Sequence, residues 1–204
     1  MAMRSHGWSG QPPAGADEAR ARILAATRAR LSEVGTTSTA EIAAHLGITR
    51  QTVYRYFPST EDLLNAAAMD AIAELESQLV KHVIEYRADT GSDAADAVVE
   101  VVAYIYEHLR DDPALNRLIA PGRISSTVAD LTAPSSVALG RTWLAGLPLD
   151  LDAIGLSQPD QAELVEVLLR NLQSFVLDPG DPARSGDDVR AYLRRWVAPA
   201  LRVR

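Results

Sequence analysis

Residues 38–64 limit the possible folds of this chain more than any other stretch. Ser38 and Glu41 have the Ser-x-x-Glu spacing of a capping box, which opens a helix. Ile42, Ala43 and Leu46 place one apolar stripe on that helix. Gly47 can take the left-handed conformation that ends it, and Thr49 can cap the next helix, Thr49 to Tyr56. In this second helix only Val53 and Phe57 read as obligately buried, and Arg50, Gln51, Thr52, Tyr54 and Arg55 fall on the other face. A short helix with one buried edge and a donor-rich outer face suits the DNA major groove. Ser59 and Asp62 then open a further helix.

The rest of the chain reads as helical too. Residues 1–16, with Gly7, Gly10, Pro12, Pro13 and Gly15, are expected to form a disordered tail. A first helix follows over 17–34, with Ile23, Leu24, Thr27, Leu31 and Val34 on one face and Gly35 at its end. The helix after Ser59 extends to about 87 on the stripe Leu63, Leu64, Ala67, Ala71, Leu75, Leu79 and Val83. Helices are expected over 93–110 and 113–120, then a break at Pro121 and Gly122. Helical material resumes up to about 146, interrupted at Pro134. Two amphipathic helices, 159–177 and 186–203, close the chain on either side of Pro179–Pro182. No β-alternating run of useful length occurs, so the expected class is all-α. It has two parts: a three-helix DNA-reading head over 17–58 and a helical body over 59–204.

Composition narrows the function classes. The net charge of −7 divides unevenly. Residues 1–58 carry seven arginines against Asp17, Glu18, Glu33 and Glu41, a balance of +3, which leaves −10 for the remainder. A basic head on an acidic body is the asymmetry expected where one end meets phosphate. Arg28 or Arg30 on the first helix, and Arg50 on the second short helix, are the candidate phosphate contacts. With no cysteine there is no disulfide, thiolate nucleophile or zinc-thiolate site. No apolar run approaches the roughly 20 residues that span a bilayer, and residues 1–16 hold no secretory hydrophobic segment. A cytoplasmic protein without membrane contact is therefore expected. His6, His45, His82 and His108 are scattered, with no metal-pair spacing, phosphate loop or nucleophile elbow. No metal, cofactor or catalytic site is expected.

Three spaced motifs resemble the DNA-binding domain of the tetracycline-repressor (TetR) family of bacterial regulators. They are Ile-Ala-Ala-His-Leu-Gly-Ile-Thr at 42–49, Val-Tyr-Arg-Tyr-Phe at 53–57 and Ser-Thr-Glu-Asp-Leu-Leu at 59–64, preceded by a fitting first helix at 22–35. The sequence departs from the family in a shorter loop after Gly35 that lacks the usual aromatic. Thr60 also stands where many members carry a phosphate-contacting basic residue. The resemblance implies a dimer, joined through the last two helices, that reads a pseudo-palindromic operator and is released by a small effector.

The candidate DNA contacts are Ser38, Thr49, Arg50, Gln51, Thr52, Tyr54, Arg55, Tyr56 and Thr60. Arg pairs well with guanine and Gln with adenine, and Thr can reach phosphate or a thymine methyl, while the hydroxyls of Tyr54 and Tyr56 resemble the family's phosphate contacts. Tyr56 could instead be a packed aromatic, and Arg55 a solvated or ion-paired residue. The candidate homodimer interface is Leu164, Leu168, Leu172 and Phe175 with Tyr192 and Trp196, on two very apolar helices; the alternative is internal core. Tyr104, His108, Trp143 and Asn171 are the candidate effector lining, with ordinary packing as the alternative for each and a dimer-interface hydrogen bond for Asn171. The resulting expectation is a ligand-responsive transcriptional repressor. A helical protein-interaction module without DNA function and an all-helical enzyme are the competing classes.

Overall fold

Ten α-helices and one 3-10 turn, with no strand, make up the described residues of this computed structural model, 7–119, 133–152 and 154–202. They gather into two compact units: residues up to Ala73 with Asp112–Arg117, and Glu74–Asp111 with residues from Leu118 on. The expected break at 121–122 lies outside the described residues.

In the first unit, α1 (Ala16–Val34) buries Ile23, Leu24, Thr27 and Leu31. The Thr27 hydroxyl donates 2.8 Å back to the Ile23 carbonyl, which lets a polar residue sit inside. Gly35 ends the helix at φ +76°, its amide on the Leu31 carbonyl. Val34, expected on the buried face, is 56% exposed, because the apolar contact stops one turn earlier. Helices α2 (Thr39–His45) and α3 (Arg50–Tyr56) follow, both capped as the sequence indicates. Ile23, Leu24, Ile42, Val53, Phe57, Leu63 and Ala67 form one core beneath them.

The expected disordered tail is corrected over its described part. Trp8–Gly10 form a 3-10 turn, and Trp8 packs half-buried against the core of this unit. Burial of the indole offsets the chain entropy that would otherwise leave such a Gly/Pro-rich segment free.

Helix α4 (Thr60–Thr90) starts with the Ser59 hydroxyl accepting from the Asp62 amide at 3.0 Å. All seven residues of its expected stripe are buried. Its residues up to Ala73 belong to the first unit and the rest to the second. Asp112 opens α6 (Pro113–Ile119) by accepting from the Ala114 amide at 2.7 Å, and Ala114 and Leu115 join the first unit as buried residues.

The second unit is organised around α5 (Ala94–Asp111), most of whose residues are buried. Helix α7 begins with Pro134 at its first position and runs to Gly146. Pro134 opens rather than interrupts a helix there because its missing N–H would have no helical partner in the first turn. Helix α8 (Gln158–Leu177) has a complete capping box between Ser157 and Asp160. Helix α9 (Gly186–Trp196) has another between Ser185 and Asp188. The last helix, expected unbroken over 186–203, stops at Val197 and resumes as α10 (Ala198–Arg202). Pro199 has no N–H for the helical ladder and its ring crowds the preceding turn, which accounts for the break.

Leu164, Leu168, Leu172 and Phe175 are 4–8% exposed in the single chain. They face the chain's own interior, so their assignment to a dimer surface is corrected. One apolar stripe on α8 is used up within the second unit, where Phe175 meets the rings of Tyr106 and Tyr192 edge-on, at 6.1 and 5.3 Å between centroids.

Candidate nucleic-acid interface

The outer face of α3 is held by what lies at its two ends. At its start, the Thr49 hydroxyl accepts from the Thr52 amide at 3.1 Å and lies 2.9 Å from the Thr52 hydroxyl. At its end, buried Phe57 anchors the helix, and the Arg20 guanidinium sits 4.5 Å over the Phe57 ring. Between them Val53 is fully buried, which turns the opposite face to solvent. Thr49, Gln51, Thr52, Tyr54 and Arg55 line a single shallow concavity of about 470 Å³ there. Arg50 and Gln51 are exposed, and the described residues offer them no hydrogen-bond or ion-pair partner. The Tyr54 ring is 47% exposed. These donors need no internal bond broken before they meet another surface.

Other candidates have internal duties. Tyr56 is half-buried against the core, and its hydroxyl accepts from Arg55 at 3.1 Å. The Ser38 hydroxyl caps α2, accepting from the Glu41 amide and donating to the Glu41 carboxylate at 3.0 Å. The Thr60 hydroxyl accepts from the Thr39 amide at 3.3 Å and lies 3.4 Å from the Thr39 hydroxyl, so it ties the start of α2 to the start of α4.

The charge picture shifts as well. Within the first unit Glu61, Asp62, Asp70 and Asp112, set against Arg117, cancel the +3 balance of residues 1–58. Arg28 pairs with Asp70 at 3.3 Å and Asp112 at 3.5 Å, and Arg30 with Glu33 at 3.2 Å. Nearby carboxylates thus already bond both guanidinium groups, which sets these two candidate phosphate contacts apart from Arg50. Among the described residues of the first unit, the exposed arginines without a carboxylate partner are Arg50 and Arg55 of α3 and Arg20 of α1, over the Phe57 ring.

Residues 23–67, from α1 into α4 and including the whole of this face, match the family of bacterial regulatory proteins, tetR family. Residues 23–67 are thus a helix-turn-helix domain of the TetR type, and the helical body lies outside this match. No curated protein is significantly similar in sequence. Among solved structures, a TetR-family transcriptional regulator from Pectobacterium atrosepticum is 21% identical, with a TM-score of 0.64 over 92% of this chain and 96% of that one. RolR, solved with resorcinol, is 20% identical, with a TM-score of 0.63 over 91% and 92%. The TetR-family repressor AlkX from Dietzia sp. strain DQ12-45-1b is 17% identical, with a TM-score of 0.58 over 89% and 94%. The shared feature is the fold: a helix-turn-helix end followed by a helical body.

In the helical body the four candidate effector residues are in different situations. The Tyr104 and His108 rings lie tilted against each other at 4.0 Å between centroids, and His82 stacks on Tyr104 at 4.2 Å. Burial, helped by the charge of Glu107, raises the Tyr104 hydroxyl pKa. Asn171 spends its amide on the Val167 carbonyl at 2.9 Å, a turn earlier in its own helix, so the interruption in the apolar stripe is satisfied locally. The Trp143 indole N–H is buried with no hydrogen-bond partner among the described residues. An open cleft of about 390 Å³ lies along α7 and α8, lined by Arg141, Thr142, Gln158 and Gln161 among others, and none of the four candidates lines it.

Sequence reasoning missed a polar knot at the centre of the body. Glu100 is 2% exposed. It accepts from Arg190 Nε and Nη2 at 2.8 and 2.7 Å, and His82 Nε2 lies 2.8 Å away. Arg190 also bonds Glu107 at 2.7 and 3.0 Å. Burial pushes the Glu100 carboxyl up, but the hydrogen bonds and charges of Arg190 and His82 outweigh it and hold the group below the usual carboxylate range. The available signal was a lone carboxylate in the valine- and alanine-rich run of α5.

Proposed function

We propose that this regulator is a repressor that binds a pseudo-palindromic operator as a homodimer and leaves it when a small, mostly apolar effector occupies the helical body. The observation that carries the DNA-reading part is the concavity on α3, where Gln51, Tyr54 and Arg55 stand beside an unpartnered Arg50. In this reading Arg50 and Gln51 meet base edges, Thr49, Thr52 and Tyr54 meet phosphates, and Arg55 and Tyr56 steady the rim. Ser38 and Thr60 shape the site from within.

Val167, Leu177 and Trp196, at 46, 44 and 63% exposed, support pairing of two copies through α8 and α9. The unpartnered Trp143 indole and the resorcinol bound by RolR support a body that takes a small ligand. Two heads read one site only when they match successive major grooves roughly 34–36 Å apart. An effector acts by favouring a body conformation with another spacing. The reading includes a cytoplasmic location and no enzymatic role; no described helix is long and apolar enough to cross a membrane.

Selection of bound duplexes from a random pool by the purified full chain tests the proposal. The expected result is an inverted repeat, lost in Gln51→Ala. Enrichment of no motif, or of the same motif by Gln51→Ala, refutes the assignment of α3 as the base reader.

A further inference from the structure

The segment just before α1 is built against the turn of the helix-turn-helix. The Trp8 amide donates to the Leu46 carbonyl at 2.9 Å, and the Gln11 amide closes back on the Trp8 carbonyl at 3.0 Å. The Gln11 carbonyl in turn accepts from Arg22 of α1 at 2.5 Å. The indole is half-buried and packs on the same core as Leu46 and Ile48. Gly7 approaches so closely that a Cβ there would stand 3.0 Å from the Gly47 carbonyl oxygen and 3.2 Å from Ile48 Cγ2.

Trp8 has φ +67°, and it is the one non-glycine residue with positive φ among those described. A bulky side chain in that region is disfavoured and persists only where its surroundings over-determine it. Here the determinants are the indole contact, the bond to Leu46 and the tie to Arg22. Two residues of this turn also have particular places. Leu46 is the cap that ends α2, with a carbonyl that would otherwise lack a protein partner. Ile48 directly precedes Thr49, the cap that opens α3.

We propose that Gly7–Gln11 is a strap that sets the aim of α3, with Trp8 as a positioning residue for DNA reading. The strap joins the turn between α2 and α3 to α1. Val53 and Phe57 keep α3 folded without it, whereas the direction of α3 depends on the turn the strap covers. Loosening that turn costs the contacts with strict geometry, those of Arg50 and Gln51 to base edges. Contacts to phosphate tolerate small displacements. The proposal rests on the reading that α3 enters DNA.

The test compares the full-length wild type with Trp8→Ala and Trp8→Phe. Affinity is measured for the selected operator and for a scrambled duplex, well below the melting temperature, and amide exchange is followed at Gly47 and Ile48. Trp8→Ala is expected to lose about tenfold or more on the operator, the equivalent of one base contact. Scrambled-duplex affinity and its salt dependence should hold, exchange at Gly47 and Ile48 should rise, and Trp8→Phe should restore most of both. Equal losses on both duplexes, no loss at all, or unchanged exchange at the turn overturns the strap. If the wild type itself does not distinguish operator from scramble, the DNA reading of α3 fails. The exchange rates then decide the strap alone: a rise supports it and no change overturns it.

Discussion

Truncating Arg190 is expected to destabilise the helical body by about 3–5 kcal/mol, the usual cost of leaving a buried charge without its partner. Glu100 is 2% exposed and would lose two bonds from the guanidinium, at 2.8 and 2.7 Å. At about 1.5–3 kcal/mol for each hydrogen bond to a charged group, the two losses give a similar figure. In a chain of this size that lowers the thermal midpoint by on the order of 10 °C. Arg190→Ala, Glu100→Gln and the double variant can be compared by helical circular dichroism during heating and in urea. Glu100→Gln should cost less, because Arg190 keeps its bonds to Glu107 at 2.7 and 3.0 Å. In the Glu100→Gln background Arg190→Ala should cost far less than alone. The pH dependence follows from the direction of the shift. In the wild type the folded Glu100 carboxyl sits below its unfolded value of 4.5. Its contribution is therefore present above that pH and is lost as pH falls through the lower folded value. Without Arg190, burial is opposed only by His82 and the folded value rises, so the variant is penalised most near neutrality. Its deficit should shrink on acidification through about pH 4.5. A cost under about 1 kcal/mol, a cost independent of pH, or one unchanged in the Glu100→Gln background would refute this account of the knot.

Gln51→Ala should cost roughly 1–3 kcal/mol on the selected operator and relax sequence preference, while Tyr54→Phe should weaken all duplexes alike; binding titrations on both classes of duplex check this. Arg50→Ala should cost roughly 1–3 kcal/mol on the selected operator and relax preference at its base pair, whereas Arg30→Ala, already paired with Glu33 at 3.2 Å, should leave operator binding nearly unchanged in the same titrations. Equal losses for the two variants would return the DNA contact to α1. Leu168→Glu buries a charge inside the chain and should unfold the body. Trp196→Glu, at a 63% exposed position, should leave a folded monomer in analytical ultracentrifugation, and a Trp196→Glu dimer would move the interface elsewhere.

The helix-turn-helix end was legible in the sequence because its determinants are local. Ser38, Thr49 and Ser59 each cap a helix by accepting from an amide three residues on, and Gly47 makes its turn at φ +65°. Such interactions leave fixed spacings in the chain. The same holds for the buried stripe of α4. What the sequence could not decide is the partner each apolar face takes. The stripe of Leu164, Leu168, Leu172 and Phe175 announces a buried face, yet periodicity is the same whether that face meets its own chain or a second copy; tertiary packing put it inside. The Glu100–Arg190 bonds join residues 90 apart, and the Trp8 strap joins a glycine- and proline-rich segment to a turn in another part of the chain. Neither has a local spacing. Only packing could also neutralise the basic head, by bringing Asp70 and Asp112 to Arg28. Caps and periods are set within one or two helical turns, whereas buried pairs and straps depend on three-dimensional proximity that no window of sequence contains.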